Sequence, residues 1–160
     1  MSASNWLSWA PLAAASLHIM EEFVYPGGFV TWYRHSRPSI RSSITPRFLI
    51  IVNGLLLVLC YDVIALDGSP NGVLLWLTVS SLLFANGIWH IVGTVRTRSY
   101  SPGVATGVLL YVPLGVYGYT RFIGSGQVSL PRAALALAVG ASYQFWANLL
   151  HRHRAARSDV

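Results

Sequence analysis

Residues 6–24 read WLSWAPLAAASLHIMEEFV, an apolar segment that ends in His18-Ile19-Met20-Glu21-Glu22. Residues three and four apart on a helix share a face, so the imidazole and the two carboxylates point roughly the same way. The chain has only five acidic residues, and two of them stand side by side here. An ionisable side chain costs about 2.5 kcal/mol or more at the centre of a membrane helix, so such groups usually have a function. The segment therefore predicts a helix that carries a site.

The composition indicates an integral membrane protein. Of the 160 residues, 54% are hydrophobic and 10% are charged, whereas a soluble domain has about 25% charged residues. Every basic side chain apart from histidine is an arginine, and the formal net charge is +6. The arginines lie between apolar segments, which favours topogenic and lipid-headgroup roles over binding to nucleic acid. The length predicts a single domain that covers residues 1–160.

Apolar segments of about 20 residues are long enough to span a bilayer. We therefore predict an all-α integral membrane bundle of about five transmembrane helices, with spans at about 6–24, 48–65, 73–95, 104–123 and 132–150. Arginine-rich connections orient such spans because they stay in the cytoplasm. Nine arginines fall on one side of this topology and two on the other. This predicts a multi-pass protein of the cell inner membrane, with the N-terminus outside and the C-terminus in the cytoplasm.

The predicted topology places most of the unusual polar residues at one depth. His18, Glu21 and Glu22 end the first span on the cytoplasmic side. The other candidate residues fall near the same ends of later spans: Asn53, Asn86, His90, Asn148 and His151. We expect these side chains to contribute to one buried site near the cytoplasmic leaflet.

Three motifs in order make the chain similar to a known family. They are His18-Ile19-Met20-Glu21-Glu22, then His90, then Tyr100-Ser101-Pro102-Gly103. The chain resembles the HXXEE family of small bacterial integral membrane proteins, which is described by an HXXEE motif, a further histidine and a YXPG motif. The resemblance covers residues 18–103 and implies a shared fold and a shared site. It implies no reaction, because the function of that family is uncharacterised.

The spacing of the HXXEE motif is compatible with a divalent metal site. In zinc-protease motifs of the H-x-x-E-H type, the first and last residues bind the metal and the glutamate acts as the base. By this comparison Glu21 would transfer the proton, and the predicted ligands are His18, Glu22, His90 and His151. Zinc and iron both accept histidine and carboxylate ligands, so the residue types do not choose between them. Four further residues are expected to orient the ligands or to organise the adjoining turn: Asn53, Asn86, Tyr100 and Asn148.

A metal-free site is the main alternative. Buried Glu21 or Glu22 would then act as a general acid and His18 as a base, as in an isomerase or cyclase. A polar cluster that only holds helices together is the structural alternative. An intramembrane site is reached most easily from the bilayer, so the expected partner is a membrane lipid, an isoprenoid or another hydrophobic small molecule. We therefore predict an integral membrane enzyme, with a non-enzymatic lipid- or small-molecule-binding protein as the other class.

Overall fold

The computed structural model describes residues 5–158, and this range is almost entirely helical. In chain order the elements are α1 (Asn5–Phe23), α2 (Phe29–Ser36), a 3₁₀ helix (Pro38–Ser43), α3 (Pro46–Ala65), α4 (Pro70–Thr97), α5 (Val104–Thr106), a π-helical turn (Gly107–Tyr111), α6 (Val112–Gly124), α7 (Leu130–Ala141) and α8 (Tyr143–Ser158). No strand occurs between residues 5 and 158, which confirms the all-α prediction.

Capping residues explain where two of the long helices begin. The Thr45 hydroxyl accepts a hydrogen bond from the backbone N–H of Phe48 at 3.3 Å, and Ser69 Oγ accepts one from Gly72 at 2.9 Å. Each cap satisfies a backbone donor that has no partner within its helix. A proline follows each cap, and its restricted φ suits the first helical position. The starts of α3 and α4 are thus determined by local sequence.

Helix α4 is the central element of the fold. Its buried Trp76, Leu77 and Leu83 belong to a core cluster that also includes side chains of α1, α3, α6 and α7. Glycines allow the π-helical turn to approach α4 closely, since a Cβ on Gly87 would lie 3.1 Å from the carbonyl oxygen of Gly107. This contact places the C-terminal half of α4 directly against the segment that follows residue 103.

The segment between α1 and α3 folds back over α8. A second apolar cluster joins α2, the residues around the 3₁₀ helix and the C-terminal part of α8, and its buried members are Phe29, Tyr33, Ile40, Ile44 and Ala155. The arginine-rich stretch 34–47 therefore lies beside the C-terminal helix. Two regions that are far apart in the sequence become neighbours at one end of the bundle.

Within residues 5–158, three helical stretches are long and apolar enough to cross a membrane: Pro46–Ala65, Asn71–Thr97 and Leu130–Arg157, of which the last runs through α7 and α8. They correspond to the second, third and fifth predicted spans. The first and fourth predicted spans are not among them, so the number of five transmembrane helices is not confirmed. The polar end of α1, with His18 and the glutamate pair, lowers its mean hydropathy. The segment 104–124 is helical throughout, but a π-helical turn at Gly107–Tyr111 interrupts its α-helical pattern.

Helix α3 presents an apolar face to its surroundings. Ile51, Leu55 and Val58 lie three and four residues apart and are 51%, 60% and 57% exposed. Side chains at this spacing form a continuous stripe along one face of a helix. Large exposed apolar surfaces are uncommon on soluble monomers, so this face is suited to contact with acyl chains.

Candidate functional site

Three of the predicted metal ligands lie together at the end of α1. Glu22 Oε1 is 3.5 Å from His18 Nε2 and 3.2 Å from His90 Nε2. One ligand atom from each of the three residues lies within 4.8 Å of the others. All three are buried, and the exposed fraction of His90 is 0%. The spacing on α1 and the position of His90 on α4 bring these groups to a single point.

Gly103 makes room for the two imidazoles. Its φ is +102°, and a Cβ at this position would lie 2.7 Å from Cε1 of both His18 and His90. The two rings meet edge to face, with their centroids 4.9 Å apart. Any larger residue would have to displace at least one ring. The glycine of the YXPG motif is therefore one wall of the site.

The loop around Gly103 also holds the second nitrogen of each imidazole. His90 Nδ1 lies 2.9 Å from Ser101 Oγ, and His18 Nδ1 lies 2.8 Å from Thr106 Oγ1. Because the Thr106 hydroxyl donates to Glu21 Oε2 at 2.5 Å, it accepts a hydrogen bond from His18 Nδ1. In the neutral ring, His18 Nε2 then carries a lone pair directed at the site. Histidines that bind metals usually have such a partner, which fixes the orientation of the ring.

Glu21 lies outside the group of three and anchors the loop. Its Oε1 accepts hydrogen bonds from the backbone N–H of Gly103 at 2.9 Å, from that of Ala105 at 3.0 Å and from the Tyr100 hydroxyl. Its Oε2 accepts from the backbone N–H of Thr106 at 2.7 Å and from the Thr106 hydroxyl. Burial, together with the hydrogen bond to Glu21, raises the pKa of Tyr100 to about 12, so its hydroxyl is a donor at neutral pH. These contacts fit a structural anchor better than the proton transfer predicted from the sequence.

Glu21→Gln is expected to destabilise the fold by about 2–4 kcal/mol, because an amide replaces one acceptor with a donor and leaves buried N–H groups unsatisfied. Tyr100→Phe should cost only about 1 kcal/mol, since it removes a single hydrogen bond. Thermal unfolding in detergent measures both effects, and hydrogen exchange at residues 103–106 locates them. Equal destabilisation by the two substitutions would contradict the anchoring role of Glu21.

Asn86 reaches the site, one helical turn before His90. Its Nδ2 lies 3.1 Å from His18 Nε2, and its Oδ1 accepts a hydrogen bond from Gln144 Nε2 at 3.1 Å. The contact with Gln144 determines which end of the Asn86 amide faces the imidazole. Nothing in the sequence marks Gln144 as a site residue, because a single glutamine within an apolar segment carries no distinctive pattern.

His151 and Asn148 line the same cavity as His18 and Glu22 but have other hydrogen-bond partners. His151 Nδ1 lies 2.9 Å from Ser43 Oγ, and Asn148 Oδ1 accepts a hydrogen bond from Arg37 Nη2 at 2.7 Å. The group of ligand atoms within 4.8 Å of one another consists of His18, Glu22 and His90, so His151 as a fourth ligand stays a prediction. Its depth was inferred from topology, and equal depth does not bring two side chains together laterally. Asn53 lines the cavity beside the site.

Ser101 and Thr106, which contact the imidazoles, were not singled out from the sequence. Ser101 occupies the variable position of the YXPG motif, and Thr106 follows the motif by three residues. A hydroxyl next to a glycine-containing turn usually caps the turn itself. Their role became visible only when the loop was placed against α1 and α4.

A cavity of about 330 Å³ adjoins His18 and Glu22. It is mostly apolar, and α3 contributes much of its wall through Leu49, Val52, Leu55, Leu56 and Leu59. Beside His18 and Glu22, its polar lining includes Arg37, Asn148 and His151. A concave, mainly apolar space with a small number of placed polar groups is the usual form of a small-molecule site.

Two of the three ligand separations match those expected around a tetrahedral metal ion. Two ligands about 2.0–2.1 Å from such an ion lie roughly 3.3 Å apart, and the observed separations from Glu22 Oε1 are 3.2 and 3.5 Å. Within residues 5–158, the polar partner of the buried His90 Nε2 is Glu22 Oε1 at 3.2 Å, in a contact that is not a well-directed hydrogen bond. A buried polar atom in this state needs an explanation, and a cation shared with Glu22 provides one.

Binding of an ion at His18 Nε2 would require Asn86 to move, because Asn86 Nδ2 lies 3.1 Å from that nitrogen. A half-turn of the amide would present Oδ1 instead, and amide oxygens are ligands of divalent cations. Gln144 would have to turn with it to preserve their hydrogen bond. The site is thus compatible with three fixed protein ligands and an exchangeable fourth position.

Fold and site together define a helical protein with a buried histidine–glutamate group beside an apolar cavity. The model of the family "Protein of unknown function with HXXEE motif" matches residues 9–118, and the chain belongs to this family. The matched region contains the three ligands and the whole loop that holds them. No curated protein and no solved structure matches the chain significantly.

Proposed function

We propose that this protein is an integral membrane enzyme that acts on a lipid-like or isoprenoid substrate, with a divalent metal ion held by His18, Glu22 and His90. The observation that carries the proposal is the buried group of three ligand residues next to a mostly apolar cavity. Three protein ligands with an exchangeable fourth position are typical of catalytic rather than structural zinc sites. Iron is also compatible with this set of residues.

Each part of the site has a definable task in this proposal. A divalent ion would supply Lewis-acid chemistry toward an oxygen of the substrate, for hydrolysis. Ser101 and Thr106 hold the two imidazoles in the orientation that binding requires. The apolar walls of the cavity bind the substrate chain and exclude water from the ligands, which strengthens electrostatic interactions at the site.

A metal-free acid/base enzyme is the second candidate. A chain of hydrogen bonds from His18 Nδ1 through the Thr106 hydroxyl to Glu21 favours it, because it couples an imidazole to a carboxylate. In this version Glu22 donates a proton to the substrate and His18 accepts one, which suits an isomerisation or cyclisation. The metal content of the purified protein separates the two candidates.

We further propose a position in the cell inner membrane, with the N-terminus outside and the C-terminus in the cytoplasm. The three helices of sufficient length and hydropathy and the excess of arginine on one side support this orientation. The contact of Arg37 with Asn148 joins the arginine-rich stretch to the C-terminal helix. The site would then face the cytoplasmic leaflet.

The proposal is tested with purified protein in lipid nanodiscs that is incubated with a bacterial lipid extract. Mass spectrometry is expected to show conversion of a lipid species by the wild type, and Glu22→Gln should slow it about 10²–10⁴-fold. Sensitivity to a chelator would support the metal-dependent version, and insensitivity the acid/base version. The orientation is tested separately, with reporter fusions at both termini of the protein expressed in cells. Identical lipid profiles for both proteins would contradict an enzymatic role and favour a binding protein.

A further inference from the structure

Arg37 places a positive charge at the cavity, where no acidic side chain of residues 5–158 forms an ion pair with it. It lies between α2 and the 3₁₀ helix, and its side chain lines the same cavity as Glu22. Among residues 5–158, Glu22 is the one carboxylate that lines the cavity, and its Oε1 lies against the two imidazoles. Arg37 is half-buried, and a partly desolvated charge is stabilised by an opposite charge beside it, so Arg37 is suited to bind an anion from outside the chain.

The guanidinium is held in a defined position. Its Nη2 donates a hydrogen bond to Asn148 Oδ1 at 2.7 Å, and its central carbon lies 5.8 Å from the centre of the Tyr33 ring. An arginine has five N–H donors in a planar fork; Asn148 accepts from one of them, and the Tyr33 side chain lies beside the group as a second polar neighbour. The remaining donors suit the paired oxygens of a carboxylate or phosphate.

The size and the lining of the cavity indicate what kind of molecule bears the anionic group. The volume of about 330 Å³ lies near the lower end of the range for small-molecule sites, roughly 300–1,000 Å³. Leu49, Val52 and Leu56 line the space together with Arg37 and Glu22. This space suits a single apolar chain better than a two-chain phospholipid.

We propose that the substrate is a single-chain amphiphile with an oxyanion head group, and that Arg37 and Asn148 bind this head group. The chain lies along the leucines of α3, and its reacting part lies at His18 and Glu22, away from the anion. This inference rests on the proposed function, because it takes the cavity to be the substrate site. It specifies the class of substrate, a carboxylate or phosphate monoester of an apolar chain, and assigns Arg37 a recognition role.

The test uses quenching of tryptophan fluorescence, because Trp89 lines the cavity. The full-length protein in a neutral detergent is titrated with three probes: ω-bromododecanoate, its methyl ester and ω-bromododecyl phosphate. The wild type is expected to bind an anionic probe about tenfold more tightly than the ester. Arg37→Gln should abolish this preference without weakening binding of the ester. Tighter binding of dodecanoate indicates a fatty-acid-like substrate, and tighter binding of the phosphate indicates a prenyl- or alkyl-phosphate.

Arg41→Gln is the matched control, since Arg41 is exposed in the 3₁₀ helix and does not line the cavity. Arg41→Gln should keep the preference for the anionic probe over the ester. An equal loss of this preference in both variants would mean that it comes from general surface charge, and would overturn the proposal. If Arg37→Gln does not fold, equal affinity of the wild type for acid and ester would still refute it. Equal quenching by acid and ester refutes only the head-group site. Absence of quenching by every probe refutes the apolar substrate site as well, and with it the proposed function.

Discussion

Glu22→Gln is expected to remove nearly all of the divalent metal that the purified wild-type protein retains. The wild type should hold about one ion per chain after dialysis against metal-free buffer, as a three-ligand zinc site does. Glu22 is the central ligand, since its Oε1 lies 3.2 Å from one imidazole nitrogen and 3.5 Å from the other. An amide in its place provides no negative charge. Elemental analysis and competition with a chromophoric chelator measure content and affinity.

Substitutions around the ligand group should give a graded series of zinc affinities. His90→Ala is expected to weaken zinc binding as strongly as Glu22→Gln, because it deletes a ligand. Ser101→Ala removes only the hydrogen bond to His90 Nδ1 and should weaken it about 10–100-fold. Asp67→Asn is the matched control, since Asp67 is an exposed carboxylate in the turn before α4. If all variants and the wild type are equally metal-poor after loading with zinc, the metal-dependent version of the function is wrong.

Gly103→Ala is expected to cause the largest combined loss of stability and metal affinity of any single methyl addition in the loop. The new Cβ would lie 2.7 Å from Cε1 of both His18 and His90, at a φ of +102°. The backbone conformation costs about 1–3 kcal/mol for a residue other than glycine, and the overpacking adds about 1–3 kcal/mol. Because the two imidazoles must separate to relieve the contact, zinc affinity should fall together with the melting temperature.

Gly126→Ala is the control that separates these two costs. Gly126 also has a positive φ, +71°, but a Cβ there would meet no heavy atom within 4 Å. It should therefore show only the backbone cost and leave the affinity for zinc unchanged. Thermal unfolding in detergent and zinc titration are compared for both variants. Equal effects on both quantities would mean that Gly103 is required for its backbone alone and not for the approach of the imidazoles.

Local helix geometry made the first half of the site predictable. His18 and Glu22 are four residues apart, and helical residues at this spacing share a face whatever packs against them. Their approach to 3.5 Å in the structure follows directly from this rule. The predicted topology puts His90 at the same depth in the membrane as His18 and Glu22, since both helices end on the same side. The two helices also meet laterally, because the loop that follows α4 contacts both His90 and His18.

The roles of the adjacent glutamates could not be separated in the sequence. Glu21 and Glu22 differ by about 100° around the helix axis, so each faces a different neighbour. Glu22 faces His90, whereas Glu21 meets the backbone donors of the loop at Gly103 and Thr106. The comparison with zinc proteases predicted proton transfer by Glu21. In the structure, α1 is rotated so that Glu21 faces this loop, where its carboxylate accepts hydrogen bonds from five donors.

The sequence by itself determined the all-helical class, the polar end of α1, the pairing of His18 with Glu22 and the motif that closes the site. These features depend on composition and on spacing within one segment, which a linear pattern records. Only the tertiary structure decided that His151 bonds Ser43 and that Arg37 lines the cavity. Both depend on how helices are arranged side by side and rotated about their axes. Hydropathy and arginine counting predict only the position of a residue along the membrane normal. They contain no information about which helices are neighbours or how each helix is rotated.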